Sequence, residues 1–180
     1  MATYKLFLGI ATILAGSPAP LWAQASATVA TPPPDSQQTT GAASAEALAT
    51  LLHQALQNTN FKPLLVYLAD KQVYDGLLQA STTPVREAIM LYTPDQIQLD
   101  FQRGFNDVIR TGAVLEVNWA QTNVQAVTTA AASDSAAIVP VQLHLSTPGS
   151  PGFVVQFSAA LLNGYYYYLP PLFIPSKDLD

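Results

Sequence analysis

The residues that could carry chemistry are few. The 180-residue chain holds two histidines, His53 and His144, no cysteine, and 12 acidic against 7 basic residues, a net charge of −5. Without a thiol there is no disulfide framework, no thiolate nucleophile or metal ligand, and no N-terminal cysteine to lipidate. A zinc or two-histidine iron centre needs a third ligand converging on both imidazoles, and neither histidine has another histidine or a carboxylate at ligand spacing. No metal or cofactor is therefore expected. His53 adjoins Leu48 and Leu52 on a helix and reads as a surface or helix-flank residue, while His144 lies opposite Val141 and Leu143 on a strand and reads as exposed and structural. Asp100 and Arg103, like Asp107 and Arg110, are spaced i,i+3 on a helix face turned from Ile97, Phe101 and Phe105. Such pairs describe a solvated face worth about 0.2–0.5 kcal/mol each. Glu116 falls on a predicted strand, across from its core side. No nucleophile elbow and no paired carboxylates are present, so no catalytic residue is assigned.

The remaining unusual chemistry is Tyr165 to Tyr168, a run of four tyrosines that puts two rings on each face of a strand. Their placement follows from Leu161-Leu162-Asn163-Gly164-Tyr165-Tyr166, because Asn-Gly is the preferred two-residue hairpin turn, with positive φ at both central positions. Pairing Leu162 with Tyr165 sets Leu161 opposite Tyr166, Ala160 opposite Tyr167 and Ala159 opposite Tyr168. Tyr166 and Tyr168 then complete the core, with their hydroxyls at its rim. Tyr165 and Tyr167 stand with Val154 and Gln156 on an open sheet face, where exposed aromatic and apolar side chains mark a partner or ligand site.

The elements that must position these residues are legible from their periods. Leu48, Leu51, Leu52, Ala55 and Leu56 form one stripe of a helix that Ser44 caps and Glu46 favours through the dipole. After Asn58-Thr59-Asn60, the residues Phe61, Leu64, Leu65 and Leu68 predict a second helix with Pro63 in its first turn, completing a helical hairpin. A shorter helical segment is expected from Thr83 to Tyr92, holding Val85, Ile89 and Met90. Thr93-Pro94-Asp95-Gln96 starts a further helix through Ile97, Phe101, Phe105 and Val108, closed at Gly112. The period then changes to two. Strands are expected along Leu115, Val117 and Trp119, along Val139 to Leu145, and along Phe153 to Leu161, with Pro140 marking a bulge or an edge and Pro170-Pro171 closing the last strand.

Composition bounds the rest. With 49% hydrophobic and 11% charged residues, the chain suits one modest domain with additional segments. Lys5, the apolar run Leu6 to Ala15 and Ala23-Gln24-Ala25 read as a secretory signal peptide, 1–25. About ten apolar residues are too few for a membrane span, which needs roughly 20. Without Lys5, six basic residues face twelve acidic ones, a mature net charge of −6, which disfavours nucleic acid and anionic membrane surfaces. Residues 26–43, rich in Ala, Thr, Ser, Gln and Pro, read as a disordered linker. A single α+β domain is expected over 44–175, with a tail at 176–180.

Helices followed by a meander of antiparallel strands resemble the nuclear transport factor 2-like family of the cystatin-like α+β cone. The run "HQALQNTNFKPLL" looks like that family's opening helix, break and second helix, and "LLNGYYYYLPP" like its closing hairpin, with Tyr166 where tryptophan is common. The resemblance spans roughly 44–171. It implies N-terminal helices packed on a curved sheet, and its small exported members without enzymatic activity are the most similar. In the enzymatic members acid and base residues project into the cone, and no such pair can be matched here. The expectation is an exported, non-catalytic binding or assembly module of a bacterial-type envelope, periplasmic or secreted. It would contact a homodimer mate or an envelope protein through Tyr165, Tyr167, Val154 and Gln156, with the cone open to a small apolar ligand. The alternative is a small acid–base enzyme of the isomerase or cyclase type, which requires Glu116, Gln142 and His144 to turn inward by a one-residue register slip.

Overall fold

A computed structural model describes residues 40–130, 136–149 and 152–175, which all belong to the second of two compact units, Ser36–Asp180. The signal peptide, the linker up to residue 39 and the tail 176–180 lie outside the described residues.

Helix α1, Ala45–Gln57, starts as its sequence asks: the Ser44 hydroxyl accepts the Ala47 N–H at 3.1 Å, and Leu48, Leu52 and Leu56 are fully buried. The expected second helix is instead a short 3-10 segment, Lys62–Tyr67. It cannot lengthen because Leu68 is drawn into a parallel bridge with Tyr168, and the Ala69 N–H bonds the Tyr168 carbonyl at 3.1 Å. Helix α2, Lys71–Ala80, is not foreseen by the sequence reading. The Asp70 carboxylate caps it by accepting the Val73 N–H at 2.9 Å, and its apolar stripe is only Val73 and Leu77. Helix α3, Thr83–Ile89, buries Ile89, whereas Met90 is 63% exposed rather than packed. Helix α4, Pro94–Val114, opens at Thr93, whose hydroxyl donates to Gln96 Oε1 at 3.0 Å.

Gly112 does not close α4, which runs two residues further. Its missing side chain serves packing, since a Cβ there would stand 2.4 Å from Trp119 Cζ2. The strand expected at Leu115–Ala120 is absent. Leu115 caps α4, Glu116 takes φ 55°, and the Val117 N–H returns to the Gly112 carbonyl at 2.8 Å, a Schellman closure with glutamate where glycine is usual. A 3-10 turn at Trp119–Gln121 follows. Trp119 is buried as expected, edge-on to Phe153 at 5.7 Å, with Val117 half-buried beside the core. Alternating burial along this turn mimics a strand's period without its backbone.

The sheet is an antiparallel meander in the order β1-β2-β3-β4: β1 Asn123–Thr129, β2 Ala136–Ser146, β3 Phe153–Leu162 and β4 Tyr165–Phe173. The chain is thus α+β, helices with a four-stranded antiparallel sheet. The hairpin has the expected register, Leu162 with Tyr165 through Ala159 with Tyr168, with φ 52° at Asn163 and 83° at Gly164. Pro140 sits one residue past the last β1 pair, Thr129 with Val141, where no ladder bond from β1 is needed. Pro170-Pro171 does not end β4. Ser158 faces Leu169 and Phe157 faces Leu172, so the two prolines are the surplus residues of a bulge, where proline's missing N–H costs nothing.

On the inner face, Val141, Leu143, Val155 and Phe157 pack with Leu52 of α1 and Phe101 and Phe105 of α4. Tyr168 lies at the centre of this face, 4.9 Å from the Phe101 ring centroid and 5.5 Å from that of Phe157. Its hydroxyl does not reach a rim: it is buried and donates to the Leu48 carbonyl at 2.6 Å. Burial drives its phenol well above the ordinary range. The outer face is not open throughout. Ala160, Leu162 and Leu169 are buried there under Val73 and Leu77 of α2, with Ile89 and Ile97 alongside. Among the described residues, no helix is long and apolar enough to cross a membrane.

Candidate binding groove

The outer face carries the site residues the sequence singled out, and α2 divides them. Tyr165 and Tyr167 form one wall of a groove of about 910 Å³ between the β3–β4 hairpin and α2. Tyr165 is 53% exposed at the lip, and Tyr167 is half-buried against the cluster beneath α2. Val154 and Gln156 are not part of this groove. They lie farther down β3 beside His144 and Gln142 of β2, and four residues of strand between Ala160 and Gln156 span roughly 13 Å. Leu169, buried between the two halves, interrupts the continuous face that alternation implies.

The second wall comes from α2, which sequence reading missed. Asp70 at its cap, Lys71, Asp75 and Gln79 line the groove, and Leu162 contributes to its apolar floor. Gly76 explains how the helix comes this close, because a Cβ there would meet Leu162 Cδ2 at 2.7 Å. A signal for α2 was present in Asp70-x-x-Val73 with Leu77 four residues on, but Gly76 within the turn weakens helix propensity by roughly 1 kcal/mol. Opposite α2, the incoming chain lies across the tyrosines. Ala42 exchanges backbone hydrogen bonds with Tyr166 at 2.9 and 2.8 Å, and a Cβ at Gly41 would stand 2.9 Å from the Tyr167 ring. Packing contacts therefore begin ahead of Ser44, within the segment read as linker, and they cover the outer edge of β4.

The groove's electrostatics are acidic. Lys71 is held by Asp75 at 2.5 Å, an exposed i,i+4 pair, and that hydrogen bond raises the lysine's pKa. Burial raises the Tyr167 phenol above its ordinary range, and the Asp70 carboxylate and Tyr165 push the same way. Tyr167 is thus an uncharged hydrogen-bonding group at neutral pH.

The other chemistry-bearing residues stand apart. His53 is not on a helix flank but buried, 9% exposed. Thr122 Oγ1 gives its only proton to the Trp119 carbonyl at 2.7 Å, so His53 Nε2–H donates to that hydroxyl at 2.9 Å and to the Thr122 carbonyl at 3.2 Å. Desolvation lowers its pKa, partly offset by the Thr122 backbone bond. The imidazole is a neutral tie between α1 and the turn before β1. His144 is half-buried on the outer face and meets Thr128 Oγ1 across β1–β2 at 3.3 Å. Glu116 is exposed at the end of α4. Arg103 reaches Asp100 at 2.9 Å and Arg110 pairs with Asp107, both exposed as their spacing indicated. Among the described residues no three histidines or carboxylates are grouped to hold a metal. No family model matches the chain, and no curated protein or solved structure matches it significantly.

Proposed function

We propose that the chain is an exported, non-catalytic binding module whose contact surface is the groove between α2 and the Tyr165–Tyr168 strand. One observation carries the reading: the lip tyrosine, Tyr165, keeps a large ring 53% exposed beside a hollow of about 910 Å³. Aromatic side chains at a concave, mixed-polarity surface are typical binding anchors. Lys5, the apolar run Leu6 to Ala15 and Ala23-Gln24-Ala25 support export to a periplasm or beyond. The order of helices before a closing meander supports a nuclear transport factor 2-like cone, and the contacted species is a second copy or an envelope protein. The acid–base enzyme alternative needs polar groups inside. Gln142 and His144 instead share a face with Gln156 and Val154, and Glu116 is solvent-exposed.

Photo-crosslinking in intact exporting cells tests the proposal. With p-benzoylphenylalanine in place of Tyr165, a discrete adduct is expected, and with the same probe in place of the exposed Glu87 of α3, none. No adduct from position 165, or equal adducts from both positions, overturns it. N-terminal sequencing of envelope material should find a chain beginning near Ser26, and a cytosolic chain retaining Leu6 to Ala15 would sink the export reading.

A further inference from the structure

We propose that the groove between α2 and the β3–β4 hairpin takes an organic cation, an alkylammonium or guanidinium group, held between the tyrosine faces and the acidic lip of α2. The inference deepens the binding reading and rests on it. Two carboxylates, Asp70 and Asp75, line the groove against one cation, Lys71, which Asp75 already holds at 2.5 Å. An anionic ligand would find only that engaged ammonium. A cation finds a net negative wall and, opposite it, the electron-rich face of the exposed Tyr165 ring. Tyr167 remains protonated beside Asp70, so its ring carries no repelling group and its hydroxyl can orient a polar neighbour. The apolar floor at Leu162 and Val73 suits the alkyl stem behind a charged head. The groove therefore reads both ends of such a group, the stem by burial and the head by charge.

The same cation could be a small free amine or a lysine or arginine side chain of a polypeptide. The probe is n-butylammonium, with butan-1-ol as its neutral match and methyl glucoside as a neutral stacking ligand. These are titrated into the mature chain carrying 13C-labelled tyrosine rings. Saturable shifts of the Tyr165 and Tyr167 signals are expected with n-butylammonium, at least about 5-fold tighter than with butan-1-ol. Asp70→Asn keeps a competent helix cap while removing the charge, and should weaken binding by roughly 5-fold. Lys71→Gln removes the competing cation and should tighten it. A lysine tripeptide that binds tighter than n-butylammonium, and loses this on side-chain acetylation, assigns the cation to a polypeptide; equal affinity assigns it to a free amine. Equal shifts from either neutral probe, indifference to both charge variants, or no saturable shift in the millimolar range overturns the inference. The crosslinking result at position 165 is read independently, so a groove that binds neutral partners fails here while the binding reading stands.

Discussion

The inner and outer faces of the sheet are made by the same strands and are finished differently. Val139, Val141, Val155 and Phe157 meet α1 and α4 along the whole inner face, and the one phenol there, Tyr168, is fully enclosed with its hydroxyl satisfied by Leu48. The outer face is covered only where α2 lies, over Ala160, Leu162 and Leu169, and is half-exposed at Val154, Gln156 and His144. The difference teaches where a site can form. A fully covered face spends its side chains on stability, whereas the margin of a partial cover leaves aromatic groups both anchored and accessible. Tyr165 and Tyr168 are three residues apart and fall on opposite sides of that division.

The comparison breaks first at Tyr168. Tyr168→Ala should cost about 4 kcal/mol, the range for deleting a buried aromatic ring, read as a lowered denaturation midpoint. A loss near zero would mean the inner face is not the principal core. Leu77→Ala should cost about 3 kcal/mol, because Leu77 is fully buried under α2. If the loss were negligible, α2 would not be a structural cover and the groove would have no fixed second wall. Gly164→Val loads both faces equally through the turn, and its φ of 83° should cost about 1–2 kcal/mol.

Acidification should distinguish the faces without mutation. His53 belongs to the inner side, and its pKa in the folded chain lies below the ordinary value of 6.5. The unfolded chain therefore takes the proton first as pH falls. The stability His53 contributes is complete above about pH 6.5 and is lost as pH drops towards the folded-state pKa. Hydrogen exchange should show α1 amides losing protection in that window ahead of those of α2, and His53→Gln, which retains a donor to Thr122, should flatten the response. The smallest effect belongs to the outer lip: Tyr165→Ser should change stability by no more than about 0.5 kcal/mol. A larger loss would place that ring in the core and erase the contrast between the faces. Replacing Tyr165 and Tyr167 together is a poorer probe, since Tyr167 packs beneath α2 and against Gly41.

The sequence by itself determined what short-range chemistry governs. The Ser44 cap, the proline start of α4, the alternation of Val139 to Leu145 and the Asn163-Gly164 turn each depend on neighbours within a few residues, and each stands where its pattern indicated. Register followed for the same reason, because a two-residue turn leaves one pairing of Leu162. Where the local pattern was ambiguous, only tertiary structure decided. Leu115 to Ala120 alternates like a strand but is bent into a Schellman closure and a 3-10 turn, with Trp119 seated on Gly112. Lys62 to Tyr67 cannot lengthen because β4 draws Leu68 into a bridge. Helix α2, with two buried apolar residues and a glycine inside, has little helical signal of its own, and it is held by the surface of Leu162 and Ala160, more than eighty residues away in the chain. The tyrosine wall of the groove was therefore legible, and the acidic wall was not, because burial against a distant strand leaves no period in the segment that is buried.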